Sequence, residues 1–351
     1  MKINSFQTCR ILISLFILTR SLPLIAQHYL SSSQLSGQTA GSTSVLPFLL
    51  IAPDARSAAM GDAGVASTPD ASSTYWNPAK LAFIDTTFGL NASFVPWLRA
   101  LVPDINLFSF SGYYKLTDTK SIGASVRYFS LGDVTISNPG GSYPLSYHPN
   151  EYACDLSYAQ KLFKHFSAGI TGRYIYSNAT NQGQIWNGSI HSVETVTLDL
   201  SAFYHTDQIL LAGKQTVLNV GIHLSDIGSK IAYVDSTRKD YPPTNLRIGG
   251  CLILELNKQH SLSILGDLNR MRVPNQPGTR FCGGLEYWYA KLFAVRMGYV
   301  YQTFSDTAVD YYTLGFGLKY KNVAFDFADW LPPDERSPIQ NTLRLTASCN
   351  F

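Results

Sequence analysis

The stretch NTLRLTASCNF, residues 341–351, is the segment around which the predicted fold is arranged. Apolar and polar side chains alternate in it, and an extended chain places alternate side chains on opposite faces. One face carries Leu343, Leu345, Ala347, Cys349 and Phe351, and the other carries Thr342, Arg344, Thr346, Ser348 and Asn350. A last strand of this kind suits the closing seam of a barrel, which has no free edge. A β-sandwich can also end on an alternating strand, and this segment taken alone favours the sandwich.

The two-residue period runs through the chain from Thr87 onward and favours the barrel. It predicts about fourteen strands, at residues 87–95, 105–116, 120–131, 150–161, 165–178, 191–205, 215–225, 243–256, 259–270, 279–290, 291–303, 309–320, 322–330 and 340–351. An even number of strands is typical of bacterial outer-membrane barrels. The strand at 105–116 has the weakest pattern, because Phe108 and Phe110 lie opposite Ile105 and Leu107. The predicted fold is an all-β, antiparallel transmembrane β-barrel of about 14 strands with an N-terminal hatch.

The composition agrees with a membrane barrel. Only 15% of the 351 residues are charged, whereas about a quarter are charged in a soluble domain. The mean hydropathy is near zero, as expected for alternating strands. The net charge of +3, without a basic cluster, gives no indication of a nucleic-acid partner. The five cysteines lack CxxC spacing and the seven histidines form no catalytic motif, so the sequence predicts no metal, no cofactor and no enzymatic activity.

The predicted connections alternate between short and long. The short ones have one to three residues, with 206–214 as a longer exception, and the long ones are 96–104, 132–149, 179–190, 226–242, 271–278, 304–308 and 331–339. Outer-membrane barrels have short periplasmic turns and long exterior loops. With an even number of strands, both ends of the barrel are expected on the periplasmic side of the outer membrane.

Charged residues recur on the polar face of successive strands, which predicts that they line the interior. They are Arg127, Asp155, Arg173, Asp199, Arg247, Asp267, Glu286, Arg296, Asp326 and Arg344. Charges on a lipid face are costly, so their placement opposite the aromatic residues supports the barrel. They either pair into a network that fills the interior or line water, and the alternating signs favour a filled interior.

The chain before the first strand is predicted to have three parts. Residues 1–26 are typical of a secretory signal peptide, and residues 27–44 are small and polar, as in a flexible lead. Residues 45–86, called the N-terminal segment below, are too rich in Gly, Ala, Pro and Asp for a long strand. Asp54 is predicted to cap a short helix that ends at Gly61. The barrel is then expected over residues 87–351.

The N-terminal segment carries a family resemblance. GDAGVASTPDASSTYWNPAKL (61–81) resembles the hatch of the FadL-type outer-membrane superfamily. The run FLLIAPDARSAAMGDAGVA (48–66), together with WNPAK (76–80), FVPWL (94–98) and DINL (104–107), more specifically resembles the PorV/PorQ family of the type IX secretion system. The hatch residues expected from this resemblance are Asp54, Arg56, Gly61, Asp62, Gly64, Asn77, Pro78 and Ala79.

The resemblance implies a transport role without catalysis. Members of this family accept the C-terminal signal domain of a secreted cargo from the SprA-type translocon. They carry it to a surface attachment complex that contains a PorU-type sortase and PorZ. The resemblance further implies that exterior loops hold the cargo domain and that the hatch prevents leakage through the lumen.

Three long loops are candidates for contact with cargo or partner. Loop 96–104 is unusually apolar, which indicates either a partner surface or interfacial anchors. Loop 132–149 has the Tyr, Ser, Gly and Asn mixture of adaptable binding loops, or is simply solvated, and loop 331–339 is stiffened by prolines. The candidate residues are Trp97, Leu98, Leu101, Tyr143, Tyr147, Pro332, Pro333 and Ile339.

A second function stays open, namely a FadL-type outer-membrane channel for hydrophobic small molecules. A channel predicts an apolar pocket near the hatch and a gap in the barrel wall. A cargo shuttle predicts a filled lumen and affinity at the exterior loops.

Overall fold

A computed structural model describes residues 46–99, 102, 104–136, 145–178, 184–185, 188–189, 192–211, 213–231, 241–271, 278–304, 307–332 and 342–351. Within them, fourteen long strands form one antiparallel sheet. They are β1 Phe88–Pro96, β2 Asn106–Thr117, β3 Lys120–Ser130, β4 Asn150–Phe163, β5 Phe166–Asn178, β6 Val193–His205, β7 Lys214–Gly228, β8 Asn245–Glu255, β9 His260–Met271, β10 Gly278–Tyr289, β11 Phe293–Phe304, β12 Thr307–Tyr320, β13 Val323–Leu331 and β14 Arg344–Asn350.

The sheet closes on itself. Each strand pairs with its neighbours in sequence, and β1 also pairs with β14 from Gly89↔Asn350 to Phe94↔Leu345. One register shift, between Leu198 and Leu200, interrupts the pairing of β6 with β7. Closure gives every strand two partners, which removes the free edge that an open sheet would leave in lipid. The predicted 14-stranded antiparallel barrel is confirmed, and residues 344–350 form its closing strand.

Exposure alternates along the strands as the sequence predicts. On β6, Val196, Leu198 and Leu200 are 66%, 40% and 46% exposed, whereas Thr197 and Asp199 are buried. Apolar side chains therefore face outward, and the polar ones face the lumen, which is the arrangement that a bilayer requires. The weak pattern of β2 has a physical explanation. Its Phe108 and Phe110 face outward while Leu107 packs inward against an apolar part of the lumen, so both faces are apolar.

Short elements complete the described chain. Strands Val134–Ile136 and Leu145–Tyr147 pair, as do Gln184–Ile185 and Gly188–Ser189, and Ile209–Leu211 pairs with β7. The N-terminal segment holds the 3₁₀-helices Pro47–Leu50 and Pro78–Phe83 and the helices α1 Ala55–Ala59 and α2 Ser73–Trp76. In the described part of the chain, no helix is long and apolar enough to cross a membrane.

The start of the N-terminal segment folds as its sequence predicts. Asp54 is the N-cap of α1, and its Oδ2 accepts a hydrogen bond from the backbone N–H of Ser57 at 2.8 Å. Gly61 follows α1 with a φ of +70°, in the left-handed region that glycine adopts without strain. The cap and the glycine therefore limit this helix to little more than one turn.

Both ends of the barrel chain meet at one rim. The N–H of Phe88 donates to the carbonyl of Phe351, and the N–H of Phe351 donates to the carbonyl of Phe88, at 3.0 and 2.7 Å. The six connections β2–β3, β4–β5, β6–β7, β8–β9, β10–β11 and β12–β13 lie at this rim, which is called the short-turn rim below. The other connections lie at the opposite, long-loop rim.

Candidate functional site

The N-terminal segment lies inside the ring and bonds to strands around its circumference. Ala55 N–H donates to Thr346 on β14, and Gly61 N–H donates to Thr313 on β12. The N–H groups of Gly64 and Val65 both donate to Asp267 on β9, at 2.7 and 2.9 Å. Further bonds join Asn91 on β1 to Ser72, Arg127 on β3 to the carbonyl of Leu49, Ser167 on β5 to the carbonyl of Ala79, and Arg247 on β8 to Tyr75. The wall therefore supplies partners for the polar backbone of an irregular segment, which burial would otherwise leave unpaired.

Asn77 explains why an Asn-Pro-Ala triplet stands in this segment. Its Nδ2 donates to the carbonyls of Val65 and Ala202, both at 3.0 Å, and its Oδ1 accepts from the N–H of Ala79 at 3.1 Å. The side chain thus links two parts of the segment to β6 and caps the 3₁₀-helix that begins at Pro78. Proline fits there because the first position of a helix needs no N–H donor.

Glycines in the wall give the segment the room to approach. A Cβ atom at Gly298 would lie 2.1 Å from the backbone nitrogen of Gly61, and one at Gly221 would lie 2.2 Å from the carbonyl oxygen of Val65. Both distances are far below van der Waals contact. Backbone therefore packs directly on backbone in these two places, on β11 and β7.

Arg56 is the centre of one ion-pair network. Its Nε and Nη2 atoms donate to the two carboxylate oxygens of Glu286 at 2.9 and 2.8 Å, and its Nη1 donates to Asp70 at 2.8 Å. Glu286 also accepts from Arg296 at 2.7 Å, and Arg296 in turn donates to Asp326 at 2.7 Å. Planar, two-fold pairing of guanidinium with carboxylate is the strong form of this interaction. The network fastens the segment to β10.

Arg173 is the centre of a second network, which joins wall strands to one another. It donates to Asp155 at 2.7 Å, to Asp199 at 2.8 Å and to Asp226. Arg127 lies 3.5 Å from Asp155 in an ion pair. All of these side chains are buried, and such charges are tolerated only when they are paired. Seven of the ten lumen charges predicted from the sequence therefore lie in these two ion-pair networks. Arg247, Asp267 and Arg344 bond to uncharged groups instead.

Two buried ionisable groups of the N-terminal segment have shifted pKa values. Burial raises the pKa of Asp54 above its ordinary value, and the nearby Asp70 raises it further. Burial lowers the pKa of Lys80 to about 8. The Lys80 Nζ donates to the carbonyl of Gly64 at 2.7 Å and to the hydroxyl of Ser67 at 2.9 Å. This lysine therefore ties two turns of the segment together through uncharged oxygens.

The lumen toward the long-loop rim is packed with apolar side chains. Phe48 stacks on Phe129 with ring centroids 6.1 Å apart. The ring centroid of Trp330 lies 5.7 Å from that of Trp97 and 4.6 Å from that of Tyr311. The guanidinium of Arg344 lies 3.9 Å from the ring centre of Trp330. A cavity lower in the lumen, lined among others by Asp54, Tyr75 and Arg127, has a volume of only about 10 Å³. That is roughly the space for one water molecule, so this part of the lumen is packed.

The predicted hatch residues come together in this interior. Asp54, Gly61, Asp62, Gly64, Asn77, Pro78 and Ala79 are buried, and Arg56 is nearly so. Asp62 pairs with Arg280 and accepts from Tyr311. Their role as a hatch remains a prediction.

The predicted loop residues are placed differently. Trp97 and Leu98 are buried in the apolar core. Any effect of these two residues on binding a partner would therefore be indirect, because they would set the position of the loop. Tyr147 and Pro332 are half-buried. Leu101, Tyr143, Pro333 and Ile339 lie outside the described residues. The role of all eight in binding cargo or partner remains a prediction.

Sequence reasoning did not single out Lys80 or Thr346. Both bond within the N-terminal segment or between it and the wall. Lys80 directly follows the Asn-Pro-Ala triplet, and that position was the one available signal. Thr346 faces the lumen in the alternation of β14, but the alternation cannot tell which part of the segment lies opposite.

A closed 14-stranded ring around such an N-terminal segment defines the class of FadL-like outer-membrane β-barrels. Similar solved structures are the CymD monoaromatic hydrocarbon channel and two toluene transporters. The alignment with CymD has 13% identity and a TM-score of 0.54, and it covers 86% of this chain and 98% of that one. TbuX of Ralstonia pickettii has 14% identity and a TM-score of 0.53. TodX of P. putida has 13% identity and a TM-score of 0.52. Each alignment with a transporter covers 85% of this chain and 98% of the other. These likenesses establish the fold alone.

The family model of the type IX secretion system protein PorV matches residues 34–278. The chain therefore belongs to the PorV family, and it is an outer-membrane protein of type IX secretion. A comparison with curated proteins gives no match.

Proposed function

We propose that this protein receives the C-terminal signal domain of a secreted cargo from an SprA-type translocon. It then carries the cargo to an attachment complex that contains a PorU-type sortase and PorZ. The observation that carries the proposal is the filled lumen, in which the N-terminal segment is bonded to strands around the ring. A protein that does not pass its ligand through the lumen has to handle it at a rim, which agrees with a family devoted to protein secretion.

The long-loop rim is the side on which cargo binds in this proposal. Short turns face the periplasm and long loops face the exterior in outer-membrane barrels, so β1 begins and β14 ends in the periplasm. Loop 132–149 is the best candidate within that rim. Its base is built by the strand pair Val134–Ile136 and Leu145–Tyr147, and the sequence between these two strands carries the Tyr, Ser, Gly and Asn mixture of a binding loop.

The N-terminal segment acts as a fixed hatch in this proposal. Its bonds to the wall leave the barrel sealed while cargo is exchanged outside. The channel function would require a route through the same space, and the ion pairs of Arg56 and Arg173 occupy the described part of it.

A pull-down from detergent extract tests the proposal. The tagged protein is expected to copurify with the cargo signal domain or with the translocon. A bound hydrophobic small molecule without any protein partner would contradict the shuttle and favour the channel.

A loop exchange tests the predicted receptor surface. Replacement of residues 137–144 by a short Gly/Ser turn leaves the paired strands Val134–Ile136 and Leu145–Tyr147 in place. We expect capture of the cargo domain to fall at least tenfold, because the Tyr, Asn and Pro side chains between the strands are lost. Resistance of the folded barrel to SDS at room temperature serves as the control for assembly. Unchanged capture by an assembled barrel would show that this loop is not the receptor.

A further inference from the structure

Lysines encircle the short-turn rim. Each of the six connections at this rim carries or adjoins an exposed lysine, and they are Lys120, Lys164, Lys214, Lys258, Lys291 and Lys321. Lys115, Lys161 and Lys319 lie close to the same rim. The acidic residues there are four, namely Asp85, Asp118, Asp207 and Glu255. Two of them pair with lysines, Asp118 with Lys115 and Asp207 with Lys164. The rim therefore carries an excess of positive charge around its whole circumference.

Two of these lysines hold an unusual backbone conformation. Lys291 has a φ of +54° and Lys321 a φ of +53°. Positions with positive φ in tight turns favour Gly or Asn, and a lysine there costs conformational energy. A charged residue at a position that disfavours it points to a use for the charge.

Apolar side chains alternate with the lysines along the rim. Leu162 and Phe163, which precede Lys164, are 51% and 72% exposed, and Leu210, four residues before Lys214, is 76% exposed. Tyr289, Leu292 and Phe293 flank Lys291 in the same way. Such a border of apolar side chains and cations matches the boundary between acyl chains and head groups of a lipid leaflet.

A groove lies on the outer wall at the β12–β13 turn. It has a volume of about 500 Å³ and is lined by Leu318, Tyr320, Lys321, Asn322, Val323, Phe325 and Phe351. The Lys321 Nζ lies 5.5 Å from the ring centre of Tyr320, at the polar end of this apolar groove. An acyl chain fits the apolar wall, and a phosphate fits the lysine.

We propose that the short-turn rim binds anionic phospholipids, with a preferred site in the groove beside Lys321. The phosphate of the head group pairs with Lys321 and Lys291, and an acyl chain lies against Phe325 and Phe351. A lipid leaflet surrounds the barrel on all sides and so matches lysines on every turn, whereas an acidic protein would match one side. The inference depends on the barrel and not on the proposed handling of cargo.

Lipid exchange in nanodiscs tests the inference. The wild-type protein, Lys291→Asn/Lys321→Asn and Lys230→Asn are compared in phosphatidylcholine with and without phosphatidylglycerol, and bound lipid is counted by native mass spectrometry. Asparagine accepts positive φ, so the double variant removes charge and keeps the turns. Lys230 is the matched control, because it lies at the long-loop rim and its Nζ is also stacked on a tyrosine, at 4.9 Å from Tyr241.

The double variant is expected to bind phosphatidylglycerol more weakly, by about fivefold per lysine removed, because each lysine near an anionic surface contributes roughly 1 kcal/mol. Binding of phosphatidylcholine and the behaviour of Lys230→Asn are expected to stay unchanged. Phe325→Ala, which leaves every charge, is expected to weaken both lipids.

Equal retention of phosphatidylglycerol by the wild type and the double variant would overturn the inference. So would an equal loss for Lys230→Asn, or loss of a periplasmic protein partner with lipid binding intact. Capture of the cargo signal domain by the double variant is measured in parallel. Loss of lipid selectivity with normal capture keeps this inference separate from the proposed function.

Discussion

At the scale of single residues, a few side chains each bond both the N-terminal segment and the wall. Arg56 joins Asp70 of the segment to Glu286 of β10, and Asn77 joins Val65 to Ala202 of β6. Removing one partner of a buried ion pair costs about 3–5 kcal/mol, because the other charge is left without compensation. These residues therefore help to fix the position of the segment against the wall.

The shifted pKa of Lys80 predicts that the stability of the protein depends on pH. Burial lowers its pKa from the ordinary 10.5 to about 8. Between these values the unfolded chain binds more protons than the folded one, so stability rises with pH in this window. The contribution of Lys80 is expected to increase by up to about 3 kcal/mol from pH 8 to pH 10.5.

Urea unfolding of the wild type and of Lys80→Met at several pH values measures this contribution. The difference between the two proteins isolates Lys80 from the other groups that titrate in the same range. A difference that does not change with pH would show that Lys80 keeps its ordinary pKa, and a change in the opposite direction would show that its pKa is raised in the folded protein.

At the scale of elements, β7 and β11 each meet two requirements. One face has to be apolar toward lipid, and the other face has to allow the close approach of the N-terminal segment. On β11 the outward face carries Val295, Met297 and Tyr299, which are 38–51% exposed. The inward face carries Gly298 where the N-terminal segment approaches. Glycine weakens a strand, but a side chain there would displace the segment.

Gly298→Val is expected to displace the N-terminal segment and to leave the barrel assembled. The new side chain would overlap Gly61, whereas the pairing of β11 with β10 and β12 uses backbone groups that stay in place. We expect an assembled barrel whose N-terminal segment is cut by protease and whose lumen conducts ions in planar bilayers. Gly283→Val on β10 is the control, because a Cβ there has no neighbour within 4 Å. A sealed, protease-resistant Gly298→Val variant would refute the tight approach.

The strands themselves follow from the sequence, and their partners in the lumen do not. Period-two alternation predicts all fourteen strands, because burial on one face and lipid on the other select for it directly. It marks Asp267 as a lumen residue but cannot show that its carboxylate accepts from the N–H groups of Gly64 and Val65. Such a contact joins residues about two hundred positions apart and depends on the closed ring.

At the scale of the whole molecule, the packing of the described interior argues against a route for small molecules through the lumen. Proteoliposomes with the wild-type protein are expected to admit neither small sugars nor toluene above the background of empty liposomes. The physical reason is that paired charges and packed apolar residues leave no continuous path in the described interior. TodX of P. putida, named a toluene transporter, is the positive control. Uptake of toluene at the rate of TodX would show that the lumen is open. It would thereby remove the observation on which the proposed function rests.

By itself the sequence determined the barrel, its strand count and which face of each strand meets lipid. These follow from local alternation, which acts on every pair of neighbouring residues. The tertiary structure alone decided that ion pairs and apolar side chains pack the described part of the lumen, that Trp97 and Leu98 are buried, and that lysines from six separate turns form one rim. Those facts depend on closure of the ring, which brings together residues that no local pattern connects.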